Sequence, residues 1–380
     1  MSQQEFSKAL NREIEASAEL LMEHQELLRW NDESSKDHPL KYKTIYIGGG
    51  TPSVLPLSAI AEAVKTLQTI GYKPPYDEFT IEVNPEDIVG KGQDYVEGLM
   101  NLGVNRFSMG VQSFDNDILK WMNRRHTAQA AIKAYNILEK SGIENISIDL
   151  IFGLPQLNNK KWKETIKQAL EISQTGKFPP HISSYQLSVE PTSTLAQMLE
   201  NGLFVEAPDY ECRNQYDILC QSLAEVGYNH YEISNFAQPS YEAVHNSAYW
   251  KHFPYIGFGP GAHSFFITKD GKQIRRWNLQ DLRAYVNASK VEDFSIIREE
   301  EVLNSEQIFL EKIMLGLRTS KGLEVEVLET YNPKMFNQLL EQGKLVKTKE
   351  GFIRIPESYF FVSDSIIASL CHSNSSLTNR

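Results

Sequence analysis

Seven residues carry the means to hold a polar, charged ligand: Gly49, Gly50, Thr51, Glu82, Gln112, Arg124 and Asp149. The stretch "TIYIGGGTPSVLP", residues 44–56, runs from a strand-like segment into three glycines, a threonine and a proline. Glycine discards its side chain and tolerates backbone angles that other residues avoid, so such a loop leaves main-chain groups open to a ligand. It is neither a dinucleotide fingerprint nor a P-loop, because the later glycine and the Gly-Lys pair are missing, and a tight strand–helix turn accounts for it equally well. Glu82 can accept hydrogen bonds from paired hydroxyls such as a ribose diol. Arg124 can clamp a carboxylate with two parallel bonds. Gln112 and Asp149 can hold further polar atoms, and backbone oxygens beside Gly49 suit an ammonium. A ligand with an amino-acid end and a ribose end would use all of them.

The elements that must position these groups alternate. "KTIYIGGG" reads as a strand and "LSAIAEAVKTLQTIG" as its helix, with Gly71 at the stop. "EFTIEVNPE" and the helix "DYVEGLMNLG" follow, then "NRFSMGVQSF" with helices over 115–122 and 127–140. "NISIDLIFGLP", its helix "KWKETIKQALEIS" and "HISSYQLSVEP" complete the series. Strand–helix alternation predicts βαβ units and a parallel sheet, as in a doubly wound fold or a TIM-type barrel. Gly48 to Thr51, Glu82, Gln112, Asp149 and Gln186 all stand at or just past strand C-termini, and polar groups sent to one rim favour the barrel. The reading is therefore α/β, with an N-terminal helix and linker over 1–43, the barrel over 44–230, an aromatic and glycine-rich segment over 231–300, and an α+β winged-helix-like unit over 301–380.

Composition excludes several classes. The chain has 380 residues, 41% hydrophobic, with a formal charge of −11, which argues against a general binder of nucleic acid or acidic membrane. No apolar run reaches the roughly 18 to 20 residues that span a bilayer. The three cysteines, Cys212, Cys220 and Cys371, are too far apart for a disulfide framework and fit a reducing cytoplasm. Cys212 and Cys220 fall among the apolar positions of a helix and read as core residues, and Cys371 and His372 are given no role.

In order along the chain, "YIGGGTPS", "IEVNPE", "GVQSF", "MNRRHT", "IDLIFGLP" and "YEISNFAQPSYEAVHNSAYW…YIGFGPGAHSF" resemble the radical SAM enzymes of the oxygen-independent coproporphyrinogen III oxidase group. The resemblance covers nearly the whole chain. It is closest to the HemW-type heme-chaperone branch, through "HNSAYW" and the C-terminal unit. It implies a partial (β/α)6 barrel in which Gly49, Gly50 and Thr51 hold the methionyl part of S-adenosylmethionine, Glu82 takes the ribose, and Gln112, Arg124 and Asp149 complete the pocket. It also makes His245 the candidate heme-side residue, with heme, heme-accepting proteins and an electron donor as partners. Coproporphyrinogen oxidation is the competing activity.

The group's defining C-x3-C-x2-C loop, which binds a 4Fe–4S cluster, is absent from this sequence. The resemblance implies either an internal start at Met1, with the first barrel strand and cluster carried upstream in a longer form, or a cluster-free paralogue that binds heme or S-adenosylmethionine without redox chemistry. Without the first strand, "KTIYIGGG" is expected to leave an unpaired sheet edge and poor solubility.

Overall fold

The computed structural model describes residues 2–23, 42–191 and 193–371. Strands β1 (Thr44–Ile47), β2 (Glu78–Val83), β3 (Arg106–Gln112), β4 (Ile146–Phe152) and β5 (His181–Gln186) lie side by side in chain order, all parallel. A doubly wound sheet would reverse its order part-way; unbroken order is that of a barrel wall, and the sheet curls into a half-barrel. A hairpin of β6 (Asn229–Glu232) and β7 (Asn235–Ala237) ends the sheet, with β7 antiparallel to β5. The boundary expected at 230/231 thus falls inside β6.

Period-two alternation explains which face does what. Phe79, Ile81, Val83, Phe107, Met109, Val111, Ile146, Ile148 and Leu150 are buried in the main core. That core also holds Ile60, Val64, Val96 and Leu99 from the helices Leu57–Thr69 and Pro85–Asn101. The intervening residues, Glu82, Arg106, Ser108, Asp149, Ser183 and Tyr185, turn instead toward one concave cavity. A parallel sheet covered by helices on both faces would be apolar on both. After β2 the chain is helical from Pro85, in a short stretch that precedes the helix periodicity suggests from Asp94. Proline fits the first helical position, Glu86 and Asp87 follow in the first turn, and Gly92 (φ +74°) interrupts the helix between two regular stretches.

Around this wall sit two smaller units. Strands β8 (His263–Ile267), β9 (Gln273–Asn278) and β10 (Arg298–Val302) form an antiparallel sheet. The N-terminal helix Gln3–Ala16 packs between the helices Leu57–Thr69 and Leu282–Lys290, and the remainder of the expected N-terminal helix and linker, over 24–41, lies outside the described residues. Its Glu13, 1% exposed, accepts from Gly259 N (2.8 Å), Asn278 Nδ2 (2.7 Å), Tyr285 Oη (2.6 Å) and Arg298 Nη2 (3.0 Å). Beyond Ser305–Leu317, strands β11 (Leu323–Glu324), β12 (Val346–Lys347) and β13 (Phe352–Arg354) join the helices Val325–Tyr331, Pro333–Glu341 and Ser363–Cys371 in a winged-helix-like unit, with Thr348–Gly351 as the turn of the wing.

Candidate functional site

The rim residues converge. A cavity of about 390 Å³ opens at the C-terminal ends of the parallel strands, lined by Gly50, Thr51, Glu82, Gln112, Arg124 and Asp149 among others. Gly49 and Gly50 hold φ of +74° and +51°, the left-handed region that glycine enters without strain. Gly48 is needed for a different reason. A β-carbon there would stand 2.3 Å from Tyr46 Cε1 and 2.8 Å from Glu82 Oε1. The loop is clamped from the next unit: Lys91 Nζ donates to the carbonyls of Ser53 (2.5 Å) and Leu55 (2.6 Å), while Ser53 Oγ donates to Asp87 (2.6 Å).

Glu82 is held at both oxygens. Tyr46 Oη donates to Oε1 at 2.6 Å and the Gly49 amide donates to Oε2 at 3.0 Å. The carboxylate that could meet a diol therefore also shapes the glycine loop. Gln112 sits where β3 loses its register with β4, at φ +67°, a left-handed conformation that aims its side chain across the rim. Asp149 takes both oxygens to Ser108 Oγ, at 3.1 and 3.2 Å. Burial pushes its carboxyl up to about 6, opposed chiefly by the charge of Arg106. Arg124 has no ion-pair partner among the described residues, whereas its neighbour Arg125 pairs with Glu86 at 2.9 Å. Burial pulls the Arg124 pKa down, with Glu86 opposing.

His245 is placed on the helix Val244–Trp250, which packs against β1. Its Nδ1 lies 2.7 Å from Thr44 Oγ1 and its Nε2 lies 2.9 Å from Tyr249 Oη. The ring stacks on Tyr46 with centroids 4.9 Å apart. Burial pushes its pKa down to about 4, so the imidazole is neutral and both nitrogens are engaged. Ligation of a heme iron by His245 requires one of those two bonds to open.

Sequence reasoning missed Tyr46, Asn84, Arg106, Ser108, Ser183, Tyr185 and Asn246, which also line the cavity. Tyr46, Arg106 and Ser108 were detectable, because each stands beside buried apolar residues of its strand, Ile45, Phe107 and Met109, whereas Tyr185 lies between Ser184 and Gln186 and shows no such alternation. Asn246 was not, since its helix arrives from two hundred residues away in sequence, as the |i−j| of 201 between Thr44 and His245 shows.

The residues fit an adenosyl amino-acid ligand. The volume lies in the range of small-molecule sites, roughly 300 to 1,000 Å³, and Arg106, 1% exposed, leaves its Nε without a partner at the cavity wall. They do not fit an iron–sulfur cluster. Cys212 is buried near the Ala207 carbonyl, Cys220 faces His230 Nδ1 at 3.9 Å with its thiol pushed up to about 12 by burial, and Cys371 lies on the last helix. Among the described residues no cluster of three histidine, cysteine or acidic side chains could hold a metal.

The radical SAM superfamily model matches residues 18–169. The heme chaperone HemW of Lactococcus lactis is 35% identical over 306 residues, which cover 79% of this chain and 75% of that protein. That of Bacillus subtilis is 32% identical over 321 residues, covering 82% and 80%. This chain belongs to the HemW family. Among solved structures, the coproporphyrinogen III oxidase HemN of Escherichia coli, a radical SAM enzyme, matches with a TM-score of 0.75 over 97% of this chain and 84% of its own, at 20% identity. That likeness establishes the fold. The HemW-family chain thus has the half-barrel; Gly50, Thr51, Glu82, Gln112, Arg124 and Asp149 line the cavity at its rim, and Gly49, outside that lining, donates its amide to Glu82.

Proposed function

We propose that this chain is a HemW-type heme-handling protein whose rim cavity takes S-adenosylmethionine. One observation carries the pocket: Glu82, Gln112, Arg124 and Asp149, from three successive strand–loop units, line a single cavity with Gly50 and Thr51. Glu82 would accept from the ribose, Arg124 would face the methionyl carboxylate, and the backbone of Gly49 to Thr51 would lie along the methionyl chain, with Gln112 and Asp149 closing the wall. The net charge of −11 suits a cationic sulfonium better than a free anion. In the family a 4Fe–4S cluster supplies the electron for radical chemistry; the cysteines present here form no seat for it.

Heme would be taken up and passed to acceptor proteins, with an electron donor as a further partner where a cluster is present. No helix among the described residues is long and apolar enough to cross a membrane. Independently of that, the cytoplasm is the location we propose, on the three unpaired cysteines. The test has two arms on the purified chain. Titration with S-adenosylmethionine, followed by calorimetry, should show one site that Glu82→Ala weakens about tenfold or more, as for loss of a charged hydrogen-bond acceptor. Titration with heme should shift the Soret band, and no shift would sink the heme reading while leaving the cavity reading standing.

A further inference from the structure

The aromatic segment that carries "HNSAYW" does more than lie near the pocket. Glu78, at the start of β2 and 2% exposed, accepts from the backbone amides of Val244 (2.7 Å) and His245 (3.2 Å), which pins the first turn of the helix to the barrel wall. From there His245 lies against the face of Tyr46, and Gly48 leaves no room for a β-carbon beside the same ring. Tyr249 meets His245 edge-on at 4.8 Å and in turn packs edge-on against Tyr255 at 4.5 Å. Tyr46 then passes this placement to Glu82 through a 2.6 Å hydrogen bond. The next residue on the helix, Asn246, reaches the cavity itself.

We infer that His245 is a positioning residue for the nucleoside site, fixing Tyr46 and through it Glu82, in place of acting as a heme-iron ligand. The inference rests on the cavity reading above. Both imidazole nitrogens are used within the protein, and a neutral ring donates through one and accepts through the other, so Thr44 and Tyr249 together fix its plane. An aromatic ring held between a fixed imidazole and a glycine has little freedom to swing its hydroxyl away from Glu82.

The test is a double-substitution cycle read by S-adenosylhomocysteine binding to the full chain, with heme titration in parallel. His245→Ala should weaken the nucleoside roughly three- to tenfold, the range for one or two neutral hydrogen bonds. In a Tyr46→Phe background, where the Glu82 bond is already gone, the same change should have less than about a twofold effect, since coupled residues are not additive. His245→Phe, which keeps the stack and removes both bonds, guards against a folding defect, and melting curves accompany every variant. All His245 variants should retain the heme shift of the parent chain. Equal losses with and without Tyr46→Phe, or a lost Soret shift with unchanged nucleoside affinity, would overturn the inference. A parent chain that binds no S-adenosylhomocysteine would overturn the cavity reading, and this inference with it.

Discussion

At the scale of single residues, the cavity is a contest between burial and charge. Asp149 is raised to about 6 because a buried carboxylate loses its hydration, and Arg106 recovers only part of that. A carboxyl whose folded pKa exceeds its usual 3.8 is neutral below about 6 and ionised above it. If the ionised form holds the ligand, S-adenosylhomocysteine affinity should be level above pH 7 and fall as pH drops through 6. Asp149→Asn should flatten that profile, and an unchanged profile would remove Asp149 from the site. For stability the sign is opposite: ionised Asp149 burdens the fold at neutral pH, and the burden lifts between 6 and 3.8. His245, pushed down to about 4 from 6.5, acts against this, since the unfolded chain takes up its proton first and stability falls over that window. Gly48 supplies a purely steric test. Gly48→Ala should lower nucleoside affinity about tenfold by displacing Tyr46 and Glu82, with a loss of about 1–3 kcal/mol in unfolding free energy from overpacking.

At the scale of elements, a seven-residue helix does not hold itself together. Its stability comes from docking, and Glu78 supplies acceptors for two amides that have no partner inside the helix. Glu78→Ala should therefore loosen residues 244–250 locally, with a cost of about 1–2 kcal/mol, seen as faster amide exchange there than in β3 and β4. Glu78→Gln, which keeps one acceptor oxygen, should fall between. Uniform loosening of the whole barrel would show that Glu78 acts on the sheet instead. The helical stretch that precedes Gly92 within Pro85–Asn101, which periodicity does not mark, belongs here too. Gly90 and Gly92 hide the periodicity of its first turns, while Pro85 and the acidic residues after it mark the true start.

At the scale of the whole molecule, Glu13 joins the N-terminal helix to the β8–β10 unit, beside the bond from Arg12 to the Ser289 carbonyl and the packing of Ala9 against Tyr285. Removing Glu13 leaves the Gly259 amide, Asn278, the Tyr285 hydroxyl and Arg298 without their acceptor in a buried place. Glu13→Ala should destabilise the chain by about 3–5 kcal/mol in urea unfolding, the range for breaking a buried charged pair, and a loss below about 1 kcal/mol would show that the helix docks without it. The sheet presents β1 as an end strand, paired only with β2 among the described strands, while the helix Val244–Trp250 packs beside it. An exposed strand edge templates pairing with other chains. Light scattering should show association that grows with concentration, and a monodisperse monomer with one cooperative melt would count against it.

The sequence by itself determined the parallel strand–helix series, the rim that would carry the chemistry, and the absence of a cysteine triad, because each is written in local pattern or in residue type. It also carried the alternation that separates an apolar outer face from a polar concave one. Only the tertiary structure decided what sits across from that concave face. The "HNSAYW" helix, the Glu78 cap and the Tyr46–Glu82 bond join residues 36 to 201 positions apart, from Tyr46 and Glu82 at the near end to Thr44 and His245 at the far end. No local periodicity encodes such contacts. They follow from the curl of the sheet, which brings a segment from far along the chain into its hollow and sets His245 against Tyr46.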